Sequence, residues 1–295
     1  MPELPEIETI ARTLAPEVES RLIQAVDVFD ASAVEPGTTA SGVDAFRELV
    51  LGRRIARVAR RGKLLLLHLQ AAGGKDGGTI AVHLRMTGRV LAVHSNEGAG
   101  QEPRKPRVVL TLSAYSSDEG PVRLVFSDVR RFGRMHAFAP GDINRWHFYQ
   151  NLGPEPLAMT VQDFRACLAP GGRPSRARIK ALLLDQGVIA GIGNIYADEA
   201  LFRAGIRPDA VAATLGPGCR AALFAAIQAV LTQAIAENGS SIRDYRDAQG
   251  NAGAFQNFFQ AYGRGGQGCL TCGTIMQSLR VAGRTSTFCP RCQTP

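Results

Sequence analysis

The chain has 295 residues, 45% of them hydrophobic and 20% charged, enough for two domains with substantial cores and too apolar for a disordered polyelectrolyte. No apolar run reaches transmembrane length and the acidic N-terminus lacks the basic region of a signal peptide, so a cytoplasmic protein without membrane contact is expected. The net charge of +8 points to a polyanionic partner. The charge is uneven: nothing acidic follows Asp247, while Arg264, Arg280, Arg284 and Arg291 all lie there.

The chain opens Met1-Pro2-Glu3-Leu4-Pro5-Glu6. With the initiator Met removed, Pro2 presents a secondary amine that is partly unprotonated near neutral pH. Such an amine attacks electrophilic carbon and forms an iminium. Glu3 and Glu6, one helical turn apart, can both face it and handle protons. The bland alternative is that Pro and Glu are simply good first-turn residues of a helix. Ile7, Ile10, Ala11, Leu14 and Val18 recur at helical spacing, which predicts a helix over 5–20.

Between residues 22 and 139 the period falls to two. Strands are predicted at 22–29, 54–60, 64–70, 79–86, 89–94, 107–113, 121–127 and 134–138, as in a β-sandwich or barrel. Segments 71–78 and 96–106 are expected to be exposed loops. Within this region Lys63 follows Arg60-Arg61-Gly62 at a strand entrance, where an ammonium can meet a phosphate or simply remain a solvated charge. Arg130-Arg131-Phe132-Gly133 sets charge beside an aromatic ring, suited to contact a base or enter a stack, although an isolated Arg-Phe pair more often simply packs. Met86, taken alone, reads as core.

Asn151-Leu152-Gly153-Pro154-Glu155-Pro156 is a domain junction. Beyond it the helical period returns, with helices predicted at 161–168, 175–185, 194–204 and 217–238, the last stopped by Asn238-Gly239. Gly191-Ile192-Gly193-Asn194 precedes the third of these. It offers N–H groups for a phosphate, although Gly-Asn is also routine capping. The polar stretch 240–260 reads as a mobile loop. Finally, Cys269-x-x-Cys272 and Cys289-x-x-Cys292 stand sixteen residues apart, the spacing of a four-thiolate zinc ribbon, favoured over two disulfides or a redox-active Cys-x-x-Cys by the cytosolic setting and the absence of a thioredoxin-like βαβ pattern. Few apolar residues lie between the pairs, so the metal is expected to hold that module together. Cys167 and Cys219 have no partner at metal spacing and read as ordinary thiols.

Taken together these blocks resemble bacterial formamidopyrimidine-DNA glycosylase. The opening Pro2-Glu3-Leu4-Pro5-Glu6-Ile7-Glu8, Arg61-Gly62-Lys63, Arg130-Arg131-Phe132-Gly133, Leu152-Gly153-Pro154-Glu155-Pro156-Leu157, Gly191-Ile192-Gly193-Asn194-Ile195-Tyr196, Tyr262-Gly263-Arg264 and the four cysteines come in that family's order and span residues 2–292. The resemblance implies an α+β protein. An N-terminal helix plus β-sandwich would occupy 1–150, a helical DNA-binding domain with a helix–two-turns–helix element 151–262, and a zinc-ribbon β-hairpin with one structural Zn2+ 263–295.

The implied activity is that of a bifunctional glycosylase and AP lyase of base-excision repair, acting on oxidised purines in double-stranded DNA. The implied setting is a bacterial monomer associated with the nucleoid through DNA. Pro2 would attack the sugar, Glu3 assist ring opening, and Glu6 hold the N-terminus. Lys63, Asn194 and Arg284 would clamp flanking phosphates, and Met86, Arg130 and Phe132 would fill the void left by the flipped nucleotide. Lys180 and Tyr262 would lie near the DNA backbone, with the 240–260 loop over the flipped base.

Val129 stands where many members have Pro, and 71–78, 101–107 and 247–260 diverge. Two other readings compete. An endonuclease VIII type enzyme for oxidised pyrimidines is disfavoured by Leu4, Arg130 and Phe132. A non-enzymatic zinc-ribbon binder leaves Pro2, Glu3 and Glu6 unexplained.

Overall fold

The computed structural model describes residues 1–37, 42–94, 105–115, 120–173, 175–242 and 244–294, so the loop expected at 96–106 lies almost wholly outside the described residues. The chain divides into two units, 1–150 with 238–254, and 151–237 with 255–295.

In the first unit α1 (Leu4–Val18) begins at a capping box. The Glu3 side chain meets the N–H of Glu6, and the Glu6 side chain reaches back to the N–H of Glu3, with Pro5 in the first turn. Ile7, Ile10, Leu14 and Val18 are buried along one face, as their spacing predicts, each contributing roughly 1.5–3 kcal/mol. After β1 (Ile23–Val28) come β2 (Val34–Pro36) and α2 (Val43–Val50), and then β3 (Arg54–Arg61), β4 (Leu64–Gln70), β5 (Asp76–His83), β6 (Gly88–His94), β7 (Pro106–Leu112), β8 (Val122–Asp128), β9 (Arg134–Phe138) and a short α3 (His147–Gln150).

They form two sheets, of order β1-β7-β8-β6 and β2-β9-β5-β4-β3. Among the described residues every strand pairing is antiparallel except β2 with β9. One core joins alternate residues of both sheets, such as Leu65, Leu67, Val82, Leu110 and Phe126, with α1 and with Phe46 and Val50 of α2. This is the expected sandwich led by a helix. Three elements differ from expectation: β2 and α2 lie in 30–53, where neither a strand nor a helix is predicted, and β5 begins at Asp76, inside the expected 71–78 loop, and stops at His83. Met86 therefore sits in a turn and is 41% exposed rather than core.

The segment 238–254, expected in the helical domain as part of a mobile loop, belongs to the first unit. Ala248 donates to Thr13 Oγ1 and accepts from the Ala92 N–H, each near hydrogen-bond length. Tyr245 and Ala248 join the sandwich core. Buried apolar side chains and satisfied backbone groups fix this stretch, which its polar composition conceals.

The second unit contains α4 (Val161–Cys167), α5 (Ile179–Leu184), α6 (Asn194–Arg203), α7 (Pro217–Ala236) and the hairpin β10 (Gln277–Val281) with β11 (Arg284–Phe288). α7 is long and apolar enough, by length and composition, to cross a membrane, contrary to the expectation from sequence. Leu223, Ile227, Leu231 and Ala234 are nevertheless buried, and Phe224 meets Phe164 of α4 with ring centroids 5.3 Å apart. It is the core helix of this unit.

Candidate active site

Pro2, Glu3 and Glu6 come together at the head of α1, all buried. One Glu6 oxygen accepts the Glu3 N–H at 2.8 Å and the other accepts the Ser240 N–H at 2.7 Å. The Tyr245 hydroxyl donates to the Glu6 carbonyl at 3.3 Å. Burial, reinforced by the Glu6 charge, holds the Tyr245 hydroxyl well above its ordinary range, so it stays a donor. Gly239 is required beside them. Its φ is +78°, and a Cβ there would lie 2.9 Å from a Glu6 oxygen. Glu6 thus fixes both the helix start and the 238–254 segment. Sequence reasoning found Glu6, read Gly239 only as a helix stop, and missed Ser240 and Tyr245.

Lys63 follows the positive-φ Gly62 in the β3–β4 turn and is only 7% exposed, so the solvated-charge alternative fails. Its charge is felt by His83. Burial first, then Arg85, Lys63 and His136, push His83 down to about 3. A neutral ring agrees with the geometry, because His83 Nδ1 accepts the Arg85 N–H at 3.1 Å.

Met86, Arg130 and Phe132 form one cluster. The Arg130 guanidinium lies 4.8 Å from the centre of the Phe132 ring and donates to Met86 Sδ at 3.3 Å. Phe132 is half exposed, an apolar side chain held out in solvent. Asp128, which sequence reasoning passed over, ties the two turns together. One carboxylate oxygen accepts from Thr87 Oγ1 and from the Arg130 N–H at 3.1 Å, and the other from the Gly133 N–H at 2.6 Å. An Asp at a strand end, five residues before a Gly, is the available sequence signal.

In the second unit the loop before α6 turns at Gly191 (φ +93°) and is pinned by Gln186, whose amide accepts the Gly191 N–H and donates to the Ile192 carbonyl, each at 2.9 Å. Asn194 Nδ2 donates to the Thr285 carbonyl at 3.1 Å, while its buried Oδ1 has no hydrogen-bond partner among the described residues. Arg284 is exposed at the start of β11. It follows the turn Ala282-Gly283, both at positive φ, the geometry of a tight two-residue hairpin.

Lys180, expected near the DNA backbone, is fully buried. Its ammonium binds Asp198 Oδ1 at 2.6 Å, Ser286 Oγ at 2.7 Å and the Thr285 carbonyl at 3.4 Å. An ammonium this deep needs a counter-charge. Burial still pushes the Asp198 carboxyl up to about 7 against the pull of Lys180. Lys180 therefore anchors β11 behind Arg284 and Asn194 instead of facing solvent. Tyr262 packs edge-on to Phe259, and its N–H is held by Glu199 at 2.7 Å.

The Sγ atoms of Cys269, Cys272, Cys289 and Cys292 lie within 4.8 Å of one another. The pairs Cys269–Cys292 and Cys272–Cys289 are 3.9 and 3.5 Å apart. A tetrahedron with Zn–S bonds of about 2.3 Å has edges of about 3.8 Å, so the donor set fits zinc. Gln293 steadies it, accepting the Cys289 N–H at 2.8 Å and donating to the Ile206 carbonyl at 2.7 Å.

Comparison with known proteins agrees with this arrangement. Residues 1–135 match the formamidopyrimidine-DNA glycosylase N-terminal domain, 152–246 the formamidopyrimidine-DNA glycosylase H2TH domain, and 266–295 the zinc finger found in FPG and IleRS. The chain is 41% identical to the formamidopyrimidine-DNA glycosylase of Nitratidesulfovibrio vulgaris and 44% identical to that of Chloroflexus aggregans. Coverage is 99% of this chain in both cases, and 100% and 98% of the relatives. Among solved structures, a point mutant of Lactococcus lactis FPG, in complex with a Fapy-dG containing DNA, superposes with a TM-score of 0.84 at 30% identity. The MutM (FPG) protein of Thermus thermophilus gives 0.81 at 37% identity, and both matches cover 100% of each chain. Three family domains in order, the relatives' full-length identity and the fold together place the chain in the formamidopyrimidine-DNA glycosylase family.

Proposed function

We propose that the chain is a base-excision-repair DNA glycosylase with AP lyase activity that removes oxidised purines, 8-oxoguanine and formamidopyrimidines, from duplex DNA. The observation that carries this reading is Pro2 buried beside the Glu3–Glu6 capping box, in a chain whose relatives are named glycosylases and whose structural neighbours include complexes with Fapy-dG and abasic-site DNA. The nucleotide leaves the stack, since its sugar carbon is unreachable inside a duplex. The free amine of Pro2 then attacks C1′. The glycosidic bond breaks, the base departs with a proton, and the amine and C1′ become an iminium once the sugar ring opens. Glu3 delivers the proton that opens the ring. Loss of a C2′ proton expels the 3′ phosphate by β-elimination, and a second elimination expels the 5′ phosphate. Water finally hydrolyses the iminium and restores the amine.

Met86, Arg130 and Phe132 fill the vacated stack. Lys63, Asn194 and Arg284 hold the flanking phosphates, with Lys180 acting behind them and Tyr262 beside the backbone. One zinc ion on the four thiolates would keep the Arg284 hairpin folded and takes no part in the chemistry.

Borohydride trapping tests the reading. Reduction should cross-link the protein to a duplex carrying 8-oxoguanine, and peptide mapping should find the adduct on Pro2. An added residue ahead of Pro2 turns its amine into an amide and should abolish both cleavage and cross-linking. An adduct on Lys63, or the same cleavage by the extended form, refutes the assignment of Pro2.

A further inference from the structure

Arg107 has no role in the chemistry above, yet it is among the most completely bonded cations of the first unit. It sits where the β7–β8 register shifts, between the pairs Pro106–Ser127 and Val108–Phe126. A bulge of this kind re-aims a side chain out of the alternating pattern. The Arg107 side chain is 4% exposed and all three guanidinium nitrogens are engaged. Nε donates to Asp30 Oδ2 at 2.9 Å, Nη1 to the Gly133 carbonyl at 2.8 Å, and Nη2 to Ser32 Oγ at 2.9 Å. Asp30 Oδ2 also takes Arg131, from Nε at 2.9 Å and from Nη2 at 2.8 Å, and Oδ1 takes the N–H and the hydroxyl of Ser32.

Asp30 and Arg107 therefore grip the 130–133 turn at two points, the Arg131 side chain and the Gly133 carbonyl. Between those points lies Phe132, half exposed, with Arg130 against its ring. Arg131 itself is held at φ +60°, a left-handed conformation that an L-residue leaves unless its surroundings over-determine it. Asp128 holds the same turn by its N–H groups from inside, and the Arg134 guanidinium reaches the Arg131 and Gly133 carbonyls from the strand that follows.

We infer that Arg107 and Asp30 are positioning residues for the reaction, a buried brace that presets the Arg130–Phe132 wedge in the conformation that enters the DNA stack. The inference rests on the proposed reading of this cluster as the void-filling element. The brace spares the protein the ordering of an exposed turn at the moment of insertion. With the brace cut, the left-handed residue relaxes and the wedge-competent turn is populated about one time in ten, weakening productive duplex engagement about tenfold.

Two variants test this. Arg107→Gln cuts the brace at its buried end. Arg131→Gln cuts it at its exposed end, where the side chain is 66% accessible and core packing is untouched. Each is assayed on a duplex abasic site, where the opposite base must be displaced, and on the same site in single-stranded DNA, where there is no partner strand to replace. Both variants should lose about tenfold in kcat/KM on the duplex and stay within about twofold on the single strand. An equal loss on both substrates would mean a merely destabilised fold, and no loss on the duplex would mean that the turn needs no brace; either result overturns the inference.

A chemistry-free readout separates this from the proposed reaction. With 2-aminopurine opposite a tetrahydrofuran site, the unsubstituted protein should raise the fluorescence on binding and both variants should raise it less. Insertion without cleavage would defeat the proposed chemistry and leave the brace standing. Equal signals from all three proteins would defeat the brace alone, and no signal from the unsubstituted protein would defeat both.

Discussion

Glu6→Gln keeps the length of the side chain and removes one acceptor and the charge. The two carboxylate oxygens of Glu6 accept from Glu3 and Ser240 at 2.8 and 2.7 Å, and both bonds are buried. An amide offers one oxygen, so one N–H is left facing an NH2 group, donor against donor. Stranding a buried N–H costs roughly 1–3 kcal/mol, and the surviving bond loses about 1 kcal/mol of charge assistance. Removing a negative charge from the first turn of α1 adds about 0.3–1 kcal/mol. The total is about 3 kcal/mol, a factor of roughly a hundred in the opening equilibrium.

Urea unfolding at pH 7 would register the stability loss. Native-state hydrogen exchange would locate it, with the Ser240 amide losing about a hundredfold in protection while the amides of β4 keep theirs. Borohydride trapping should weaken in parallel, because the amine of Pro2 sits on the same capping box. A loss below about 0.5 kcal/mol with unchanged Ser240 exchange would refute the role given to Glu6.

The other sites give three further expectations. Metal analysis should find one zinc per chain. Cys269→Ser or Cys289→Ser should strip it and lower affinity for DNA as the Arg284 hairpin unfolds, whereas metal-free protein with full affinity would contradict this. Lys180→Met should destabilise by about 3–5 kcal/mol, because the bonds of the ammonium are lost and the buried Asp198 must either stay charged without a partner or take up a proton, and Lys180→Met with Asp198→Leu should recover most of that in thermal unfolding. His83 is held down at about 3, so below about 6.5 the unfolded chain takes up a proton that the folded ring refuses. Its contribution is therefore full above that pH and is lost as pH falls towards 3, and His83→Gln should flatten the decline of the urea midpoint between pH 6.5 and 4.

Legibility in the sequence followed the range of the forces involved. α1 could be read because Ile7, Ile10, Leu14 and Val18 repeat with the helix, and Leu65, Leu67 and Leu69 of β4 repeat with the strand. The cysteine pairs could be read because ligand spacing is local. α2 was legible in principle, with Val43, Phe46 and Val50 at helical spacing, but eight residues inside a period-two region make a weak signal. The strands β10 and β11 could not be read from hydrophobicity, since Gln277–Val281 and Arg284–Phe288 are largely polar.

Lys180 misled for a related reason. A cation is expected in solvent, and its counter-charge, Asp198, lies on a different helix. Tyr245 and Ser240 depend on Glu6 from more than two hundred residues away, and no window along the chain can see that. The same holds for Asp30 and Arg107, paired across 77 positions.

The interleaving of the first unit bears on how the protein is made. Its sandwich strands are all synthesised by Phe138, but the residues that complete its core, Tyr245 and Ala248, emerge about a hundred residues later. At translation speeds of 5–20 residues per second the gap is roughly 5–20 s, long compared with the folding of a small domain. Throughout that interval the nascent sandwich carries Glu6 without its Ser240 partner and the site of Tyr245 unfilled, while the helices of the second unit are still appearing. A ribosome-stalled chain ending before Asn238 should therefore be more readily cleaved by protease within 1–150 than one ending after Ala254. Domain dissection inherits the same constraint, since a fragment cut at Gln150 would present to solvent the surface that 238–254 covers.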